Sequence, residues 1–261
     1  MKKASPILKK IAQGLGWGVW AGGVLFIVQF ALSYLFSWLI TTFSINITSA
    51  LAQTIFSVAS YTLGIFIILK VPEKLSQKLK TTKSDLGLNE LPTWTDIGLA
   101  PVGLIVYALL ASVLTTAFSI FPWFNAGETQ DVGFNTLLVA SDRIFAFFTL
   151  VIVAPIAEEL IFRGFLYQKI KSLFYKKSSK DTTRKTKRRA EIIAIIVATL
   201  ITSLTFGIMH GQWNVGVNVF AMSIVLCIMR EITGSIYAGI LMHMIKNMLA
   251  FYLLYIATMS F

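Results

Sequence analysis

The 261-residue chain holds a single cysteine, Cys227, so no disulfide can close within it. That cysteine lies in an apolar run and reads as a small packing residue. Charge is the larger deficit. Only 13% of the residues are Asp, Glu, Lys or Arg, where an ordinary soluble domain has about a quarter. Residues 17–40, 43–69, 97–121 and 192–229 contain none at all. About 20 apolar residues suffice to cross ~30 Å of hydrocarbon, and each window is long enough. The alternating strands of about ten residues that a membrane β-barrel needs are missing. So are a fixed-period repeat and any low-complexity region. What remains is an all-α class, a polytopic transmembrane helical bundle with seven or eight membrane helices.

Basic residues are not scarce, but they are confined. Of 23 Lys and Arg, four fall in residues 1–16, five in 70–83 and eleven in 163–189. Blocks of this kind between apolar runs mark cytoplasmic loops. The run "YKKSSKDTTRKTKRR" (175–189) reads as a solvated loop beside anionic lipid, and no nucleic-acid partner is expected. The start, "MKKASPILKK", looks like a signal peptide, and "SALAQ" (49–53) mimics a cleavage site. The apolar stretch is too long for an h-region, however, and reads as a retained first span.

Spans are expected near residues 17–40, 49–70, 97–121, 144–171, 191–210, 214–231 and 235–259, with 134–143 as the candidate eighth helix. The N-terminus is placed in the cytoplasm and the chain in the plasma membrane. Residues 1–96 make an N-terminal membrane hairpin plus a cytoplasmic amphipathic loop around "PEKLSQKLK", and residues 97–261 hold the rest. The outer loop, 121–133, carries Glu128 and Asp131 but no basic residue. All six tryptophans, at 17, 20, 38, 94, 123 and 213, fall near span ends, as an interfacial belt requires.

Four stretches put ionisable groups at membrane depth: "AEELIFR" (157–163), "FGIMHGQWN" (206–214), "RE" (230–231) and "HMIKN" (243–247). Such groups are expensive in lipid and mark function or a pair inside the bundle. Helical spacing sorts them. Residues four apart share a face, so Glu159 lies over Arg163, Phe206 over His210, and His243 over Asn247. Glu158 is turned about 100° from Glu159 and has no partner on its own helix. Pro155 frees a carbonyl one turn back and is expected to bend the helix there. Gly164, Gly207, Gly211 and Gly216 read as close-packing positions.

"EELIFR", "FGIMH" and "HMIKN" resemble, in order, the EExxxR, FxxxH and HxxxN motifs of the CPBP family of intramembrane proteases. That family takes in CAAX prenyl endopeptidases and enzymes linked to bacteriocin self-immunity and peptide maturation. The resemblance covers about residues 144–259, with a weaker echo in "SDLGLNELPTWTDIGL" (84–99). It implies an intramembrane endopeptidase acting on a membrane-associated peptide or protein in the lipid bilayer, with 97–261 as the protease core. Glu158 with His210 would activate water, His243 and Asn247 would donate to the oxyanion, and Glu159 with Arg163 would be a structural ion pair. No prenylated substrate follows from the motifs alone.

Glu158, His210 and His243 are also the ligand set for a divalent metal such as zinc, with one open position. The chain lacks HExxH, and giving His243 to the oxyanion leaves too few ligands, so a metal-free glutamate mechanism is favoured. Lys246 departs from the family's usual apolar or small filling of the third motif. It is expected to pair with a carboxylate, Glu159 or Glu231, or to face a wet cavity, and its sharper role is substrate contact. Counting ~1.5 Å per residue puts Glu158 about 20 Å, His243 about 15 Å and His210 nearly 30 Å from the cytoplasmic face. Tilt, a bend at Pro155, or a fifth helix starting after residue 191 would have to close that gap. The alternative functions are a proton-coupled transporter, which lacks visible inverted repeats, and a catalytically silent scaffold or immunity protein.

Overall fold

A computed structural model describes residues 5–128, 133, 134, 137, 139–175 and 184–257. Asp131, part of the 134–143 segment and part of the basic loop lie outside these residues. Every regular element among them is helical, because lipid leaves the backbone no partner but itself. We number the helices α1 (Pro6–Thr42), α2 (Ser49–Leu75), α3 (Lys83–Leu86), α4 (Trp94–Phe118), α5 (Ala140–Phe174), α6 (Arg184–Ile208), α7 (Trp213–Thr233) and α8 (Tyr237–Tyr255). All but α3 are long and apolar enough to cross a membrane, so the described residues hold seven spans and no separate eighth. The protein is an integral, multi-pass membrane protein.

Local chemistry sets the ends. Thr93 and Asp96 form a capping box that starts α4, and Thr82 and Asp85 form another that starts α3. Gly87 then ends α3 in the left-handed conformation, at φ 72°. The "PEKLSQKLK" stretch extends α2 and adds one 3-10 turn, Gln77–Leu79. This segment is fixed to α5. Lys169 Nζ donates to the Leu79 carbonyl at 2.7 Å, and Leu86 packs on Gly164.

The core centres on α5, whose Phe162, Phe165, Leu166, Tyr167 and Ile170 are buried against Phe206 of α6 and Met222 and Leu226 of α7. Helices α1 and α4 lie outside and turn Phe26, Ile27, Ile105 and Leu109 outward, as lipid-facing surfaces should be. Trp17 and Trp20 of α1 both turn inward, Trp17 edge-on to Phe165 and Trp20 donating to the Ile68 carbonyl.

Helix α5 is continuous but irregular. Two π-helical stretches, Phe148–Val153 and Leu160–Leu166, bracket the α-helical turn Ala154–Glu159. Pro155 therefore does not break the helix. The Ala154 amide already bonds the Thr149 carbonyl five residues back. In that register the Leu150 carbonyl would receive the amide of residue 155, and proline has none.

Helices α6 and α7 cross at Gly207 and Gly216, where a side chain on either would meet the other's backbone carbonyl. Gly211 differs from the close-packing expectation: it has open space around it and a φ of 67°, so it serves the α6–α7 turn. A Cβ at residue 207 would sit 2.9 Å from the Gly216 oxygen. Gly207→Ala should lower the thermal unfolding midpoint in detergent, at a cost of about 1–3 kcal/mol. Gly23→Ala, with nothing within 4 Å of the new methyl, should not.

Candidate active site

The two adjacent glutamates part company as their angular separation requires. Glu159 is fully buried, and its Oε1 accepts from Arg163 Nη1 at 2.8 Å and from His243 Nδ1 at 3.2 Å. The pairing of Glu159 with Arg163 one turn on is thus observed, and His243 from α8 joins it. Gly239, one turn before His243, lets α8 approach: a Cβ there would lie 2.9 Å from Glu159 Oε2. The Arg163 guanidinium stacks 4.6 Å from the Phe206 ring centroid, a cation–π contact. Phe206 also meets Phe162 at 4.7 Å and His210 at 4.9 Å. The phenylalanine of the second motif is therefore the wedge between the first motif and the histidine.

Glu158 turns instead into a cavity of about 370 Å³. His210, His243, Lys246 and Asn247 line it too, so residues from three separate stretches of the chain converge. Glu158 Oε2 lies 3.8 Å from His243 Nε2, while Oε1 accepts from the Tyr61 hydroxyl at 2.7 Å. Tyr61 is on α2 and was missed by motif reading. The available signal was a tyrosine at mid-span, away from the interface where tyrosines usually sit. Gln29 of α1 and Tyr255 of α8 line the same cavity and were equally missed.

Partners fix the histidine tautomers. His210 Nδ1 is 2.8 Å from the Phe206 carbonyl, and His243 Nδ1 is 3.2 Å from the Glu159 carboxylate oxygen that also accepts from Arg163. A carbonyl or a carboxylate only accepts, so each Nδ1 carries the hydrogen, and in the neutral form of each ring Nε2 is the acceptor. Asn247 Nδ2 donates at 2.8 Å to the Leu150 carbonyl, the one Pro155 leaves without an amide. Lys246 pairs with neither suggested carboxylate. Glu159 is taken by Arg163 and His243, and Glu231 by Lys171 at 2.6 Å.

His210 reaches the cavity although length counting put it too deep. Helix α6 starts at Arg184, before rather than after residue 191, and His210 lies in the turn that follows Ile208. The cavity extends along α8 from His243 to Tyr255, so it climbs toward that turn.

The zinc alternative can be tested on the same geometry. Among the described residues no three His, Cys, Asp or Glu side chains form a group able to hold a metal ion. Glu158, His210 and His243 share the cavity without converging on one point, and Lys246 lines it beside them. These residues do not fit a three-ligand zinc site.

Fold and site together define a class: a multi-pass helical membrane protein with a glutamate–histidine cluster in a cavity inside the span. Residues 140–249 match the family model described as Type II CAAX prenyl endopeptidase Rce1-like. This is the CAAX-protease family that the three motifs resemble, and the match supports a protease. It covers all the motif residues and none of α1–α4. No curated protein and no solved structure matches the chain.

Arg163→Met would leave Glu159 buried with its main counter-charge gone. The expected loss is about 3–5 kcal/mol, seen as little folded protein recovered from membranes. Adding Glu159→Gln removes the stranded charge and should restore part of that yield.

Proposed function

We propose that the protein is an intramembrane endopeptidase that hydrolyses a peptide bond of a membrane-associated peptide or protein with water activated by Glu158. The reading rests on the two oxygens of that carboxylate. Oε1 is held by Tyr61, and Oε2 lies 3.8 Å from His243 Nε2. Two acceptors at that separation suit one water molecule donating a hydrogen to each, at about 2.8 Å. The lone pairs of that water then point away from both, toward a substrate carbonyl.

Glu158 takes a proton from the water as its oxygen bonds to the carbonyl carbon and the C=O π pair moves onto oxygen. The C–N bond then breaks, and Glu158 returns the proton to the leaving amine. Peptide and water become a carboxyl group and an amine. The family resemblance gives the oxyanion to His243 and Asn247, but the Nδ1 hydrogen of His243 is already given to Glu159. Asn247 keeps the amide hydrogen that Leu150 does not take, and Lys246 brings an ammonium from the neighbouring position. We assign the oxyanion to these two, the orientation of the water to His243, and a further acceptor to His210. Lys246 then contacts the substrate, and no metal takes part. The protein would act in the plasma membrane with its N-terminus cytoplasmic, in peptide maturation or bacteriocin self-immunity.

The test is cleavage of a membrane-peptide library by the purified full chain in detergent. Wild type should cleave with or without a chelator, and Glu158→Gln should not. Cleavage by that variant would overturn the mechanism, and proton flux without cleavage would favour a transporter. Lys246→Met should lower kcat by about a hundred- to thousandfold with KM little changed, as loss of an oxyanion donor does. Unchanged turnover would remove Lys246 from the site.

A further inference from the structure

We infer that Tyr61 is a positioning residue for Glu158, so that the α1–α2 hairpin outside the family match completes the site. The inference rests on the reading of Glu158 as the reactive carboxylate. The Tyr61 hydroxyl donates to Glu158 Oε1 at 2.7 Å, from a residue 97 positions away in the chain. Both side chains line the cavity, together with Leu25 and Gln29 of α1. A glutamate side chain has three rotatable bonds, and Glu158 has no partner on its own helix to restrict them. One short bond to a rigid phenol fixes the carboxylate and leaves Oε2 as the oxygen aimed at His243 Nε2. Tyr61 thereby selects which oxygen exchanges the proton. Preorganisation of this kind acts on turnover rather than on substrate binding.

Helix α2 is held against α5 by a separate contact. Thr54 Oγ1 donates to the Phe145 carbonyl at 3.2 Å and accepts from Thr149 Oγ1 at 2.9 Å. Thr54→Val removes those bonds and leaves the Tyr61 hydroxyl in place, so it reports on hairpin packing alone.

The experiment compares wild type, Tyr61→Phe and Thr54→Val as full chains in detergent, with two readouts. The first is independent of activity: the rate at which dicyclohexylcarbodiimide, a hydrophobic reagent that needs a protonated carboxyl, modifies Glu158, read by mass spectrometry. Tyr61→Phe frees Oε1 to carry a proton, and labelling should rise at least fivefold, while Thr54→Val stays within twofold of wild type. The second readout is kinetic, on whichever library peptide wild type cleaves. Tyr61→Phe should lower kcat by ten- to a hundredfold with KM within threefold, and Thr54→Val should change neither beyond threefold. Equal labelling in wild type and Tyr61→Phe overturns the inference, as does the same change in both variants. Faster labelling of Tyr61→Phe alone, with no peptide cleaved by wild type, upholds the Tyr61–Glu158 arrangement and defeats the protease reading instead.

Discussion

One oxygen of Glu159 receives both Arg163 and His243, and neither the glutamate nor the arginine is exposed. An unpaired carboxylate there would cost several kcal/mol, so the arginine is a condition of folding and not an accessory. Once the pair exists, it fixes three helices. Arg163 lies on Phe206, which seats α6, and the second donor on Glu159 is His243, which seats α8. The same contact decides which nitrogen of His243 carries hydrogen. A bond made for burial thus determines the chemistry presented to Glu158 one residue away.

The irregularity of α5 follows a related logic. A proline inside a helix removes one donor, and at bilayer depth the stranded carbonyl needs another. Here the supply comes from Asn247, whose amide reaches Leu150 across the α5–α8 interface. Pro155 and the HxxxN asparagine are therefore two halves of one hydrogen-bonding arrangement. The π-helical turns on both sides of Glu158 and Glu159 fit the common association of such turns with functional sites.

What could be read from the residues in advance was whatever helical spacing controls. The absence of charge located the spans, and the interval of four paired Glu159 with Arg163 and Phe206 with His210. What could not be read was the set of partners brought together by the fold. Tyr61 belongs to no motif, and only packing reveals that it meets Glu158. Lys246 was matched to Glu159 and Glu231 on charge alone, but nearer cations had already taken both. The estimate of about 30 Å for His210 assumed that a span begins where the basic residues end and that the site lies at the depth of Glu158. Instead α6 starts within its basic block, and the cavity rises along α8 to meet the turn that carries His210.

With only two histidines in 261 residues, the central contact can be observed directly. Nitrogen-15 NMR of histidine-labelled, untagged protein in detergent, at alkaline pH where both rings are neutral, reports which nitrogen of each imidazole bears hydrogen. The shared Glu159 carboxylate requires His243 to be the Nδ1–H tautomer, with Nε2 bare toward Glu158. Hydrogen on Nε2 of His243 would contradict that requirement, and with it the water-orienting role built on it.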